Sequence, residues 1–256
     1  MCLSYAAHVL HDDASCTIAI GLQRGSPSIK QARLLFPLLD CEERRRANSI
    51  VHEGVFAQYV QAHALLRRLV SRWADCEPER VRFRRECLLC GSREHGRVIV
   101  DEPPEVYVSL SRRPGLAVVA AGVGTGWLGI DVESASRPVE LWAEIAGSTF
   151  SLAERTAFES ATDAELARNA AQLWCRKEAV GKACGRGLAV RLPELDVLCS
   201  EEPDWCEVRL IGELWFVRDV AVGGDFVCSV AAQRPVSVQT FDIDDLLGSR
   251  PAVAPD

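Results

Sequence analysis

The sequence lacks a hydrophobic run long enough to cross a membrane. Its most apolar stretch, residues 116–130, falls short of the roughly 20 residues that a membrane-spanning helix needs, and Gly122, Gly124, Gly126 and Gly129 interrupt it. The N-terminus has no basic segment followed by an apolar run, as a secretory signal would have. We therefore expect a cytoplasmic protein with no membrane partner.

An excess of positive charge is also absent. The chain has 29 Lys and Arg against 36 Asp and Glu, for a net charge of −7 and a pI near 5.4. Such a surface repels nucleic acid, so we expect no nucleic-acid partner. Hydrophobic residues make up 48% and charged residues 25% of the 256 residues, which excludes disordered, collagen-like and coiled-coil classes.

Two common functional signatures are missing as well. No G-x-S-x-G segment is present, so serine hydrolysis of that type has no support. The glycines of residues 122–126 do not have the G-x-G-x-x-G spacing of a dinucleotide-binding turn, and this segment is better interpreted as a hairpin turn.

The eleven cysteines show no framework spacing, and their odd number favours reduced thiols over a cross-linked secreted fold. Cys87 and Cys90 form a C-x-x-C pair that His95 follows, but no second pair stands at the spacing of a structural zinc site. The pattern favours a turn between two strands with small buried thiols. Zinc binding stays open as the alternative, which metal analysis would decide.

Helical and strand patterns occur in the same order in both halves, which predicts an α+β fold of two similar subdomains. A long helical pattern over residues 41–73 precedes strand patterns, and the patterns over residues 139–160 and 164–184 do the same. A strand hairpin, residues 116–121 and 127–133, would lie near the boundary. We expect subdomains over residues 1–126 and 127–235, followed by a peripheral tail over residues 236–256.

The segment WLGIDVE places two carboxylates on one face of a strand. Asp131 and Glu133 alternate with the apolar Ile130 and Val132, so the acids point away from the core side. Side-by-side carboxylates repel each other, and a hard divalent cation such as Mg²⁺ stabilises both as anions. The alternative is a strand whose acidic end runs into solvent.

The segment WCRKEAVGK predicts a helix with a third carboxylate. Glu178 and Lys182 are four residues apart and share a stripe with Trp174, with Lys177 beside it. An ordinary surface Glu–Lys pair would explain the spacing equally well. Facing the two strand acids, however, Glu178 would complete a metal site with a cation beside it, as phosphoryl transfer requires.

These segments resemble a known family. GIDVE and WCRKEAVGK, whose first residues are 45 positions apart, resemble the signature motifs of the Sfp-type 4'-phosphopantetheinyl transferases. ERRRA, CGSREHGR and VSLSRR are similar to three further family segments, in the family's order. The resemblance covers residues 40–188 with motifs.

The resemblance implies a catalytic mechanism. The two halves would be related by a pseudo-twofold axis, with coenzyme A bound between them. Asp131, Glu133 and Glu178 would hold Mg²⁺ against the pyrophosphate, and Lys182 would stabilise the departing 3',5'-ADP. Glu178 would be the catalytic base and Lys177 a weaker alternative, while Glu154 would either support this site or lie on the surface.

It also implies a coenzyme A-binding set. Besides Asp131 and Lys182, the expected contacts are Arg46, Arg97 and Arg112, with a hydroxyl contact from Ser111. Arginine suits phosphate because its fork of donors can bind two oxygens. Each arginine could instead be a solvated surface residue. Arg112 departs from the family pattern, which usually has histidine there, and this puts ligand affinity in doubt.

The implied function is transfer of the 4'-phosphopantetheine group of coenzyme A to a serine of a carrier protein of fatty acid, polyketide or nonribosomal peptide synthesis. A noncatalytic member that binds coenzyme A or a carrier protein is the alternative, and a generic metal-dependent phosphohydrolase is a third interpretation. We expect a monomer, because one chain supplies both cleft walls, and a local apolar carrier contact around residues 134–149.

Overall fold

The computed structural model describes residues 17–74, 76–102, 105–158, 161–199 and 204–243. Six helices and ten strands form in this part of the chain, arranged as two sheets with helices packed against them. In chain order they are β1 (Thr17–Arg24), α1 (Ile29–Leu35), α2 (Cys41–Asn48), α3 (Glu53–Ala74), β2 (Arg82–Glu86), β3 (Arg97–Glu102), β4 (Val106–Arg113), β5 (Leu116–Val123), β6 (Leu128–Ser134), α4 (Val139–Thr149), α5 (Leu152–Thr156), α6 (Asp163–Ala183), β7 (Cys206–Leu210), β8 (Glu213–Asp219), β9 (Phe226–Ala232) and β10 (Ser237–Asp242). The predicted mixed α+β class is confirmed.

The first sheet has six strands in the order β10-β1-β5-β4-β3-β2. All neighbours are antiparallel except β1 and β10, which run parallel. Helix α3 covers one face, where Leu65, Leu66 and Leu69 pack against Val119 and Val108. These leucines lie three or four residues apart and so share one side of the helix.

The second sheet has four antiparallel strands in the order β6-β9-β8-β7. Helix α6 packs on one face and begins with a capping box, in which Thr162 and Glu165 each bond to the other's backbone amide. The alanines and glycine in its sequence allow it to approach the sheet closely. Trp142 and Trp215 are the largest buried side chains of this core.

The two sheets pack against each other through a third apolar cluster. Ile18 and Ile20 of β1 and Val118 of β5 contact Ile130 and Val132 of β6 in one buried cluster. These side chains are 0% exposed. The side chains of β6 therefore alternate as predicted. Its apolar residues face the first sheet, and its two acids face the opposite side.

The predicted hairpin between residues 116–121 and 127–133 is wrong. β5 pairs with β1 and β4, whereas β6 pairs with β9 in the other sheet. The chain turns through Gly124 and Gly126, which both have positive φ, and leaves one sheet for the other. Both halves run as a strand, short helices, a long helix and antiparallel strands; a pseudo-twofold relation stays a prediction.

Two further segments differ from the sequence prediction. The helical pattern of residues 41–73 forms two helices, because the chain breaks at residues 49–52 between α2 and α3. In the tail expected to be peripheral, residues 237–242 form the edge strand β10, paired with β1 from Thr17 to Leu22. The rest of the tail, from residue 244, lies outside the described residues.

The expectation of reduced thiols is wrong for one pair. Cys199 and Cys206 form a disulfide with their Cα atoms 5.7 Å apart. Cys206 begins β7, so the disulfide attaches the segment before β7 to that strand. None of the helices in the described ranges is long and apolar enough to cross a membrane.

Candidate functional site

The site begins at a close approach between β6 and α6. A Cβ at Gly129 would collide with the carbonyl oxygen of Ala179 and lie 2.5 Å from the amide nitrogen of Ala183. Any side chain at this position would push helix and strand apart. The absence of a side chain lets Asp131, two residues further along β6, come within reach of the last two turns of α6.

Asp131 lies at the centre of this contact and is 4% exposed. Its Oδ1 accepts hydrogen bonds from Lys182 Nζ at 2.7 Å and from Ser111 Oγ at 2.7 Å. Lys182 Nζ also donates to the carbonyl oxygen of Ile130 at 3.0 Å. The other oxygen, Oδ2, is buried and has no hydrogen-bond partner among the described residues.

Glu178 faces the same place from α6. Burial raises the pKa of its carboxyl to about 7, and the charges of Asp131 and Glu133 add to the rise. Its Oε1 is buried without a partner in the described part of the chain. Leaving a buried carboxylate oxygen without a bond costs free energy, so two such atoms on neighbouring acids indicate a place for a ligand.

Glu133, by contrast, has both oxygens bonded. Arg113 of β4 donates from Nε to Oε2 at 2.6 Å and from Nη2 to Oε1, and Trp174 Nε1 donates to Oε1 at 3.0 Å. The carboxylate oxygens of Asp131, Glu133 and Glu178 do not all lie within 4.8 Å of one another in the described structure. Among these three acids, only Asp131 and Glu178 have an oxygen that is buried and without a hydrogen-bond partner in the described part of the chain.

Lys177 and Glu154 are not brought to this acidic group, which corrects the sequence prediction. Lys177 is fully buried, and its Nζ donates to the carbonyl oxygens of Leu192, at 2.8 Å, and Leu195. It pairs with Glu154 at 2.8 Å, whose other oxygen accepts from the Val197 amide at 2.9 Å. Adjacent helix residues point about 100° apart, so Lys177 faces another part of the core than Glu178.

A second group of charged side chains lies on the first half. Arg46, Arg85 and Arg112, which we call the arginine cluster, all act electrostatically on the hydroxyl of Tyr59. The guanidinium of Arg112 lies 5.1 Å from the Tyr59 ring centre. Burial lowers the pKa of Arg85, and the neighbouring charge of Arg46 lowers it further. Arg46 is paired with Glu42 at 2.8 Å, whereas Arg85 and Arg112 have no carboxylate partner among the described residues, so these two guanidiniums are the ones available to an anion.

A pocket of about 240 Å³ opens beside this cluster. Its lining includes Arg46, Tyr59, Arg85 and His63. Below it, Arg67 is fully buried and is held by Asp40 at 2.6 Å, by Glu43 at 2.7 Å and by two carbonyl oxygens. The acid of the ERRRA segment thus fixes α2 on α3, and this contact positions Arg46.

Arg97 and Ser111, two further predicted coenzyme A contacts, are both bonded to protein groups in the structure. The Arg97 guanidinium lies 3.7 Å from the Trp127 ring centre and donates to the carbonyl oxygen of Ala183. Burial lowers its pKa to about 10. Arg97 therefore links β3 to the end of α6, while Ser111 bonds to Asp131 as described above.

Sequence reasoning missed Arg85 and Arg113. Arg113 follows Arg112 directly in VSLSRR, and strand alternation sends the two side chains to opposite faces. That alternation was a usable signal, because it places Arg113 with Ser111 on the side of β6. Arg85 carried no such signal, since its relation to Arg46 depends on how β2 packs near α2.

The site as a whole combines carboxylates with buried oxygens, a lysine and a nearby pocket that is lined by both arginines and acids. This composition is typical of proteins that handle phosphate groups with a divalent cation. The two partnerless oxygens of Asp131 and Glu178 fit a hard cation such as Mg²⁺, which prefers carboxylate ligands.

A family model confirms the predicted superfamily over part of the chain. Residues 128–231 match the model of the 4'-phosphopantetheinyl transferase superfamily. The match runs from β6 to β9 and includes Asp131, Glu133, Glu178 and Lys182, and it supports a phosphopantetheinyl transferase function in general terms. A search of curated proteins found no match.

Proposed function

We propose that this protein transfers the 4'-phosphopantetheine group of coenzyme A to a serine of a carrier protein and releases 3',5'-ADP. One observation carries the proposal: the matched segment holds two acids, Asp131 and Glu178, each with a buried oxygen that has no hydrogen-bond partner among the described residues. Lys182 lies 2.7 Å from Asp131. A phosphohydrolase would have no use for the arginine cluster on the first half.

Asp131 and Glu178 would bind Mg²⁺ directly, with Glu133 as a third ligand either through water or after release from Arg113. When bound, Mg²⁺ neutralises charge on the pyrophosphate oxygens and so favours attack on phosphorus. Arg113 and Trp174 hold Glu133 until then. Glu133 is therefore available as a further Mg²⁺ ligand, and its buried charge stays paired with Arg113 while no metal is bound.

Glu178 is the proposed base. In the metal-free protein, burial raises the pKa of its carboxyl to about 7; with one oxygen on Mg²⁺, the other would accept the serine proton, directly or through a water. The carrier serine oxygen attacks the β-phosphorus, its proton passes to Glu178, and the bond from that phosphorus to 3',5'-ADP breaks. Lys182 stabilises the negative charge that grows on the leaving group.

Coenzyme A would bind between the halves, residues 1–126 and 127–235, which we propose to be related by a pseudo-twofold axis. The arginine cluster would bind the 3'-phosphate of the adenosine, with Arg85 added to the predicted Arg46 and Arg112. Arg97 would position the end of α6 instead of contacting phosphate. Residues 134–149, directly after β6, would contact the carrier protein, and the enzyme would act as a cytoplasmic monomer.

Mass spectrometry of an apo carrier protein tests this function. We expect the carrier to gain the mass of one phosphopantetheine arm after incubation with the protein, coenzyme A and Mg²⁺. Asp131→Asn keeps the Oδ1 acceptor for Lys182 but removes the charge, so the rate should fall by about 100-fold or more, with an unchanged melting temperature.

Unmodified carrier proteins, tested from fatty acid, polyketide and nonribosomal peptide synthesis, would contradict the proposal. Retained carrier binding in that case would favour the noncatalytic alternative. Release of inorganic phosphate without carrier modification would instead favour a phosphohydrolase.

A further inference from the structure

The loop between β2 and β3 gathers three metal-ligating side chains away from the acidic group. Cys87, Cys90 and His95 each present one ligand atom, and these three atoms all lie within 4.8 Å of one another. Cys90 Sγ lies 3.4 Å from His95 Nε2. In the ranges that the structure describes, no other group of three or more Cys, His, Asp and Glu side chains meets this distance.

The backbone of the loop is built to hold this arrangement. The Gly91 amide donates to the Cys87 carbonyl oxygen at 2.8 Å, and the Cys87 amide donates to the Ser92 carbonyl oxygen at 2.9 Å. Gly91 and Gly96 have φ values of 70° and 99°, which favour glycine. A Cβ at Gly96 would lie 2.6 Å from the Cys87 Cα. The two glycines thus allow the chain to return close to Cys87.

Two backbone amides face the sulfur of Cys87. They belong to Leu89 and Cys90, the second and third residues after it. Amides of the second and third following residues are oriented in this way when a cysteine pair turns around a metal. Cys87 is buried, whereas Cys90 and His95 are exposed, so the fourth coordination position faces solvent.

We propose that Cys87 Sγ, Cys90 Sγ and His95 Nε2 bind one Zn²⁺, with a water molecule as fourth ligand. Two thiolates and a neutral imidazole suit zinc, whose borderline softness favours sulfur and nitrogen. The two thiolates balance the charge of the ion, and binding releases the two thiol protons. The absence of a second cysteine pair favoured a plain turn in the sequence analysis. A zinc site with three protein ligands and one water molecule does not need that second pair.

The ion would stabilise the loop that connects the ends of two strands, β2 and β3, on which two of the arginines discussed above lie. Arg85 stands two residues before Cys87, and Arg97 stands two residues after His95. Glu94 in the same loop lies 3.6 Å from Arg46. This consequence rests on the proposed function, but metal binding itself does not, because it is measured without any transfer assay.

Metal analysis of the full chain tests the site. The tag-free protein, purified with a phosphine reductant, should contain one zinc per chain by mass spectrometry of the metal. After zinc removal, titration with Co²⁺ should produce the sulfur-to-cobalt absorption and the intense visible bands of a tetrahedral thiolate site.

Variants separate this site from general thiol binding. Cys90→Ser and His95→Ala change exposed residues and should lower the zinc content to about a tenth or less, with circular dichroism unchanged. Cys41→Ser, which removes an exposed thiol outside the loop, should keep one zinc.

Three results would overturn the proposal. They are reduced wild-type protein with neither zinc nor a cobalt–thiolate band, equal zinc in Cys90→Ser and Cys41→Ser, and a Cys87–Cys90 disulfide that persists under the reductant with excess zinc. Loss of carrier modification in the presence of bound zinc would contradict the proposed function alone.

Discussion

Two lysines on α6, Lys177 and Lys182, differ in the hydrogen-bond and ion-pair partners of their ammonium groups. Lys177 is fully buried, and each of its hydrogen-bonding contacts ends on Glu154 or on a carbonyl oxygen. Lys182 is partly exposed and pairs with Asp131, whose second oxygen stays without a partner.

This difference in partners indicates whether each ion pair contributes to stability or to the reaction. A buried pair with every bond made holds the chain in one arrangement, and breaking it leaves an uncompensated charge. A pair that leaves buried oxygens free keeps coordination positions for a ligand, at a cost in stability. We therefore assign Lys177 and Glu154 to the fold and Lys182, Asp131 and Glu178 to the chemistry.

Replacing each lysine by methionine tests this division and has the largest expected effects. Lys182→Met should lower the transfer rate by about 100-fold and should cost less stability than Lys177→Met, because Lys182 is partly exposed and Asp131 keeps its bond from Ser111. Lys177→Met should cost about 3–5 kcal/mol in the free energy of unfolding, because Glu154 is left buried and unpaired. Denaturant unfolding and the carrier mass assay measure the two quantities.

The matched control for the second variant restores the balance of charge. Glu154→Gln combined with Lys177→Met should recover part of the stability that Lys177→Met loses. If Lys177→Met folded normally and lost transfer as Lys182→Met does, Lys177 would belong to the chemistry and the division would be wrong.

Glu178→Gln should change the pH dependence of stability. The folded protein holds the Glu178 proton more tightly than the unfolded chain, because its pKa rises from 4.5 to about 7. This contribution is complete below pH 4.5 and is lost as the pH rises through 7. Without divalent cations, Glu178→Gln should therefore melt above the wild type at pH 8, and the difference should shrink as the pH falls.

Magnesium sharpens this experiment. Mg²⁺ should raise the melting temperature of the wild type at pH 8 but have a much smaller effect on Glu178→Gln. Glu140→Gln, on the exposed side of α4, serves as the control and should behave as the wild type does. Equal melting curves for Glu178→Gln and the wild type at pH 8 would show that the ionised Glu178 carboxylate does not destabilise the folded protein.

Two arginines of the first half, Arg67 and Arg112, can be compared in the same way. The expected effect, on coenzyme A binding, is smaller. Arg67 has all its contacts made within the protein, whereas Arg112 is stacked on Tyr59 and has no carboxylate partner among the described residues. Arg112→Ala should raise the KM for coenzyme A about tenfold and lower kcat less. An unchanged KM would remove Arg112 from the binding site.

Local patterns were sufficient for most elements of the second half. The helix predicted over residues 164–184 forms as α6, with each end displaced by one residue. Alternation and capping act within a few residues, so the sequence displays them directly. The choice of sheet for β6 depends instead on packing between distant segments, and the prediction of a hairpin failed there.

The same limit applies to the site. The spacing placed Asp131 and Glu133 on one strand face and Glu178 and Lys182 on one helix face, and the family resemblance implied that the two faces meet. Lys177 was an alternative base because it adjoins Glu178, and Glu154 was assigned through its resemblance to a family acidic residue. Side chains of adjacent helix residues, however, point about 100° apart. The bonds from Arg113 and Trp174 to Glu133 depend on how the two sheets meet, which no local pattern encodes.

The pairing of β10 with β1 also has a consequence for synthesis on the ribosome. Thr17 and Ser237 are bonded at 2.9 Å although 220 residues separate them. The outer edge of β1 stays uncovered until residues 237–242 have emerged, and contacts between segments this distant form slowly. A nascent chain therefore needs residues 237–242 to close its first sheet, and fragments that end before residue 237 should tend to aggregate through that edge.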